Sequence, residues 1–410
     1  MLTTLAWFGF SFIINLILIR KPMISVGLVV AAYALVPLNA VEVTQLARPG
    51  DYFFISFLII FIIRNYEDVK QTFIEHQYLT VFSIFVSAVT FIARFVGVGG
   101  LGTSIIFIIF LPFMMFIVVK TLVRTQTNLY KQFNYILIPL TLFEIALGWR
   151  QYVTGEPILW ESVLSQQWWW GNNFVVTQPI GTFGHWIPYS MFLGMTIAFT
   201  SRTRSPILWP ILTFGSMFLV ILTAARSGII AFVLSALIIL IREFKELTPA
   251  KILAILAMIP IIGFVSINAF NSEISQTLRL KLVDDGNSTT LRLDAIEWFW
   301  NNTHLFALTG MPGGLDLRAE GILKSSLENA FYFHAVAYGL LSAILLALFF
   351  VFATVITLKT KGAESYFGFL LAVAFGISTF TYGAFGGGEF TTLYMFWIAQ
   401  AIAQSKSLQK

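Results

Sequence analysis

The chain has 410 residues, 58% of them hydrophobic and only 11% charged, against roughly 25% charged in soluble domains. With 42 Phe and 11 Trp, this composition predicts an all-α, polytopic integral membrane protein, a single transmembrane domain over 1–410, and leaves no room for a large soluble domain. The lack of cysteine excludes disulfides, thiolate metal sites and a cysteine nucleophile. The net charge of +5 is spread over helix connections, a pattern of membrane topology and not of nucleic-acid binding.

A spanning helix needs about 20 mostly apolar residues. In chain order such runs fall at 3–19, 23–41, 47–63, 78–96, 101–119, 133–149, 180–200, 207–224, 227–241, 252–270, 328–358, 366–383 and 388–404. Twelve or thirteen spans are expected, because part of the third run is short and 328–358 is long. The first run lacks a basic leading region and an A-x-A signal, so it is expected to be a retained helix. No internal repeat or low-complexity tract interrupts the series.

Alternate placement of the connections divides the cations. Arg48, Arg94, Arg150, Arg226, Arg279, Lys281, Arg292, Arg318 and Lys324 share one side, and the other sixteen of the 25 Lys and Arg share the opposite one. The richer side is therefore expected to be cytoplasmic. Two long connections then face outward, about 150–180 and 271–327, and long loops on a helical scaffold are where function concentrates.

Arg150 opens the first outward loop, which contains Trp168-Trp169-Trp170. The triplet reads either as an interfacial anchor or as a sugar-stacking platform. Gly181-Thr182-Phe183-Gly184-His185-Trp186 follows. Its glycines permit tight turns, amides at a helix start suit an anion, and His185 is either an acid/base or a solvated interfacial histidine. Thr223-Ala224-Ala225-Arg226-Ser227-Gly228 lies between the apolar runs 207–222 and 229–241. A permanent cation there is costly and demands an anionic partner or a wet cavity.

The large outward loop carries Arg279, Arg292, Arg318 and His304. Arginine presents a fixed fork of donors matched to phosphate, so Arg226 with Arg279 and Arg292 suits a group such as pyrophosphate. Alternatively, the loop arginines pair with lipid headgroups or with Glu273, Asp284 and Asp294. Asp284-Asp285 has no histidine beside it and reads as a turn, so no metal is expected, nor any cofactor. Glu328-Asn329 opens the apolar run Ala330-Phe331-Tyr332-Phe333-His334. Glu328 is either a general base at the mouth of a helix or part of a capping region with Ser325 and Ser326.

Gly181–His185, Ala225–Gly228, Arg292-Leu293-Asp294-Ala295-Ile296-Glu297-Trp298, Gly310-Met311-Pro312-Gly313-Gly314, Glu328-Asn329 and Tyr338-Gly339-Leu340-Leu341 occur in this order. Over about 180–345 the chain resembles the bacterial O-antigen polymerase and O-antigen ligase superfamily. It departs in having Ala225 where a serine is frequent, and Glu328 where ligases carry a histidine, which makes it look more like a polymerase.

The resemblance implies a GT-C-like, inverting, metal-independent glycosyltransferase in the bacterial inner membrane, with its site facing the periplasm or outside. The donor would be a growing glycan on undecaprenyl pyrophosphate and the acceptor a second undecaprenyl-pyrophosphate-linked oligosaccharide, with membrane lipids and a chain-length regulator as further partners. Glu328, Arg226 and Arg292 would be catalytic, Glu328 as acceptor-side base with His334 as runner-up. Arg150, Arg279, Arg318, His185, His304 and Asn329 would bind pyrophosphate or glycan. Two alternatives stay open: a ligase transferring glycan to lipid A-core, and a non-enzymatic transporter or flippase of lipid-linked sugars.

Overall fold

The computed structural model describes residues 2–36, 49–98, 109–125, 129–156, 158–161, 178–200, 205, 207–223, 225–243, 286–311, 322–323 and 329–358. Among the described residues the protein is all-helical, with no strand. Its helices are α1 (Leu2–Ile17), α2 (Pro22–Leu35), α3 (Pro49–Arg64), α4 (Tyr66–Glu75), α5 (Gln77–Val98), α6 (Leu111–Thr125) and α7 (Leu129–Thr154). They continue as α8 (Trp186–Thr200), α9 (Leu208–Leu222), α10 (Arg226–Glu243), α11 (Gly286–Asn301), α12 (Ala330–Tyr338) and α13 (Leu340–Leu358).

The helices follow the apolar runs, with four differences. Helix α11 lies inside the connection 271–327, which was expected to be a loop, because its mixed composition gives no apolar run. Helix α4 is an addition: it is rich in charge, and a hydropathy criterion passes over it. Residues 181–184 form a turn ahead of α8 and do not join the helix. The run 328–358 is broken at Gly339, whose φ of 93° and ψ of 150° no helix allows. Proline supplies two of the helix starts, Pro22 and Pro49, where its missing N–H leaves no bond unmade. The predicted runs 252–270, 366–383 and 388–404 lie outside the described residues.

Among the described residues no single helix is long and apolar enough to cross a membrane; α4 with 77–93 of α5 meets that test as a pair, bent by 87°. Hydroxyls within the apolar helices bond back to carbonyls of the preceding turn, as Thr90 to Val86 (2.8 Å), Thr121 to Ile117 (2.9 Å) and Thr141 to Leu137 (2.7 Å). This satisfies a buried polar group within its own helix.

The chain divides into two compact units, Met1–Phe10, Lys21–Phe53 and Lys131–Asp285 in one, Ser11–Arg20, Phe54–Tyr130 and Gly286–Lys410 in the other. In the first unit α8 is central, and its residues 188–197 are all buried. It packs against α9 and α10. In the second unit α6 holds the interior, buried continuously over 111–119. Helix α4 is fastened to α6 by the Thr121 and Thr72 hydroxyls, 2.9 Å apart, and by Arg124 reaching Asp68 (3.3 Å) and Glu75 (3.1 Å). Helices α5 and α13 are joined through Thr90 and Ser342, 2.6 Å apart.

Candidate functional site

In the first unit the site is built on the turn 181–184. Gly181 and Gly184 have φ of 54° and 73°, a left-handed conformation that glycine adopts at no steric cost. Helix α7 grips this turn with two side chains. Gln151 Oε1 accepts from the N–H groups of Ile180 (3.0 Å) and Gly181 (2.9 Å), while its Nε2 donates to the Gly181 carbonyl (2.9 Å). Glu144 accepts from the Thr182 N–H (3.1 Å) and contacts the Thr182 hydroxyl. Tyr189 of α8 closes the grip by donating to the Glu144 carbonyl at 2.7 Å.

The turn delivers His185 to the start of α8. Its Nδ1 accepts from the Ile187 N–H at 3.2 Å, and its half-buried ring stacks on Trp186 with centroids 4.0 Å apart. His185 therefore works as a cap, with its ring fixed by the neighbouring indole.

Small residues next bring the second motif against the first. A side chain on Gly228 would collide with Ser190, and one on Gly194 would lie 2.9 Å from the Phe232 nitrogen and 3.1 Å from the Gly228 oxygen. Ser190 pairs with 228, and 194 with 232, so α8 and α10 run parallel with their first turns side by side. Between them α9 returns, and Gln178 Nε2 donates to the Thr223 carbonyl at its end (3.0 Å). Two helix N-termini, each carrying a positive partial charge, thus lie together, with Arg226 the first residue of α10. Arg150 is exposed one position from Gln151, at the end of α7 that grips the turn.

In the second unit the remaining described motifs form one packed module. Phe299 of α11 lies against Tyr332 of α12 with ring centroids 4.3 Å apart, and Ala295, Phe306, Leu323, Ala335, Val336 and Ala343 complete the core around it. Arg292 sits two turns before Phe299 on α11. Asn329 caps α12, its Oδ1 accepting from the N–H groups of Phe331 (2.8 Å) and Tyr332 (3.2 Å). That commits the Asn329 side-chain oxygen to capping the helix.

The break at Gly339 is filled by the turn after α11. Leu340 N–H donates to the Ala307 carbonyl (3.0 Å), and Met311 N–H to the Val336 carbonyl (2.7 Å), replacing bonds a continuous helix would make. Backbones meet directly here. A side chain on Gly310 would lie 2.6 Å from the Ala337 carbonyl carbon, and one on Gly339 would strike the Leu308 carbonyl. The glycine-rich turn and the Tyr338-Gly339 motif are therefore two halves of one crossing. His304 lies exposed in a short 3₁₀ turn, Thr303–Leu305. His334 is buried, its Nε2 3.0 Å from Ser342 Oγ and its ring 4.6 Å from that of Tyr338.

Of the expected site residues, Arg150, His185 and the start of α10 at Arg226 belong to the first unit, and Arg292, His304 and Asn329 to the second. For Arg226 and Arg292 the backbone is described and the side chain is not. Glu328, Arg279, Arg318, Glu273, Asp284-Asp285 and Trp168–Trp170 lie outside the described residues. Sequence reasoning passed over Glu144, Gln151, Gln178 and Tyr189. The signal for Glu144 was present, a lone carboxylate inside the apolar run 133–149; the others carry none that hydropathy registers. No protein-family model matches the chain, and no curated protein matches it.

Proposed function

We propose that this chain is a surface polysaccharide polymerase of the O-antigen type, spanning the bacterial inner membrane about twelve or thirteen times. It transfers a growing glycan from undecaprenyl pyrophosphate to a lipid-linked repeat unit at a site facing outward. The acceptor hydroxyl oxygen attacks the anomeric carbon of the donor sugar, on the face opposite the pyrophosphate. The bond from that carbon to the pyrophosphate oxygen breaks, inverting the centre, and the hydroxyl proton passes to Glu328. Undecaprenyl pyrophosphate leaves, and arginine meets its negative charge, with Arg226 and Arg292 as the two candidates, which makes a divalent ion unnecessary.

The observation that carries this reading is the side-by-side start of α8 and α10, with His185 before one and Arg226 opening the other. Parallel helix N-termini and an arginine suit a phosphorylated leaving group. Apolar side chains exposed along α5 and α13, such as Ile84, Phe95, Ile344 and Leu348, suit lipid contact, and lipid-borne substrates reach a site sideways through the bilayer.

The test is turnover by purified protein of an undecaprenyl-pyrophosphate repeat unit, with chelator present. A ladder of longer lipid-linked chains is expected. Transfer only to lipid A-core would make it a ligase. Movement of lipid-linked sugar across proteoliposomes, with no new glycosidic bond, would make it a transporter.

A further inference from the structure

Glu144 lies in the middle of α7 with no exposure to solvent, and among the described residues no ion pair reaches it. Its two carboxyl oxygens face one residue. The Thr182 N–H donates to Oε2 at 3.1 Å, and Thr182 Oγ1 is in hydrogen-bond contact with Oε1. The same Oγ1 stands 2.6 Å from the Ala34 carbonyl oxygen, on α2. A threonine hydroxyl has one proton, so it can donate to one of these two oxygens and not to both. The Ala34 carbonyl has no proton to offer, so the hydroxyl must donate to it. The proton between Oγ1 and Oε1 then has to come from the carboxyl.

We infer that Glu144 is held as a neutral carboxylic acid, donating to the Thr182 hydroxyl and accepting from the Thr182 N–H, and is the positioning residue for the 181–184 turn. The arrangement leaves every polar atom in the chain from Glu144 through Thr182 to Ala34 with a partner, which a buried cluster requires. An ionised carboxylate would take the hydroxyl proton, leave the 2.6 Å contact with the Ala34 carbonyl oxygen without a hydrogen, and, among the described residues, bury a charge with no cation. Gln151 offers a parallel. Two turns along the same face of α7, its amide accepts from Ile180 and Gly181 and donates to Gly181. A neutral carboxyl and a carboxamide both join a donor and an acceptor on one planar head, so α7 grips the turn twice by the same chemistry.

Tyr189 completes the enclosure from α8 by donating to the Glu144 backbone carbonyl at 2.7 Å. Through this grip Glu144 sets where His185 and the start of α8 stand beside the start of α10. The protonation state stands on the hydrogen-bond geometry alone; its consequence for turnover rests on the polymerase reading.

The test is an infrared difference spectrum of purified wild type against Glu144→Gln, paired with thermal melts of Glu144→Gln, Glu144→Ala and Thr182→Val. The expected spectrum shows a protonated-carboxyl C=O band lost in the variant. Antisymmetric carboxylate bands lost in its place would overturn the inference. Glu144→Gln is expected to melt with the wild type, because the amide reproduces both bonds, while Glu144→Ala and Thr182→Val melt several degrees lower. A Glu144→Gln protein as unstable as Glu144→Ala would also overturn it, and if Glu144→Ala does not fold, the spectrum and the Gln variant decide. In the polymerisation assay Glu144→Ala should lower turnover and Glu144→Gln should recover most of it; equal turnover in the two variants would overturn the positioning role. Absence of polymerisation by the wild type would instead sink the function while leaving the spectral and melting results to stand.

Discussion

Gly181 has no space for a side chain. Its φ of 54° is left-handed, and an added methyl would run into both the Glu144 carboxyl and the Tyr189 ring. Gly181→Ala therefore combines backbone strain of about 1–3 kcal/mol with displacement of the grip, and a denaturant melt in detergent should show at least that loss. At Arg226 and Arg292 the change to Lys keeps the charge and removes the planar fork. Each charge-assisted bond lost is worth about 1.5–3 kcal/mol, so either variant should polymerise at about a tenth to a hundredth of the wild-type rate. Wild-type rates in both would end the proposed pyrophosphate clamp. At this scale hydropathy singles out Arg226 as a candidate, because a cation between apolar runs needs a partner. Glu144 sits in an equally apolar run, but its partner Thr182 is 38 residues away and comes into view only when the turn is folded.

Among the elements, the interrupted helix α12–α13 is where local pattern and structure diverge most. Hydropathy reads 328–358 as one run, because a single glycine hardly alters an average over many apolar residues. The chain breaks there since Gly339 takes a conformation open essentially to glycine alone, and the 307–311 turn supplies the missing backbone bonds. Gly339→Ala should cost about 3 kcal/mol or more, from strain of about 1–3 kcal/mol and lost backbone bonds of about 1 kcal/mol each. Hydrogen exchange should show loss of protection at Met311 and Leu340 first. Helix α4 offers a contrast. Arg124 ties it to α6 through Asp68 and Glu75, yet these groups are 34–46% exposed, so Arg124→Ala should cost under about 1 kcal/mol in a melt. A larger loss would mean that the clamp is less hydrated than its exposure indicates.

For the molecule as a whole, the proposed setting is a bilayer, and the exposed apolar side chains make it testable. Spin labels at Ile84 and Ile344, which are 64% and 42% exposed, should collide readily with dissolved oxygen and poorly with a water-soluble nickel chelate. The reverse ranking would place these faces in water. The all-helical class and the positions of most described helices were legible in the sequence alone, because hydropathy and composition are sums over neighbours and need no knowledge of what lies across the fold. The order of the motifs was readable in the same way. Which motifs meet was decided only by the tertiary structure. The 181–184 turn sits against Glu144 and Gln151, Ser190 against Gly228, and Gly310 against the backbone at Gly339, and each pairing depends on a close approach between distant segments. Such approaches are set by where a side chain is absent, at Gly181, Gly228, Gly310 and Gly339, and by where a lone polar group finds its partner. Neither leaves a periodic trace along the chain.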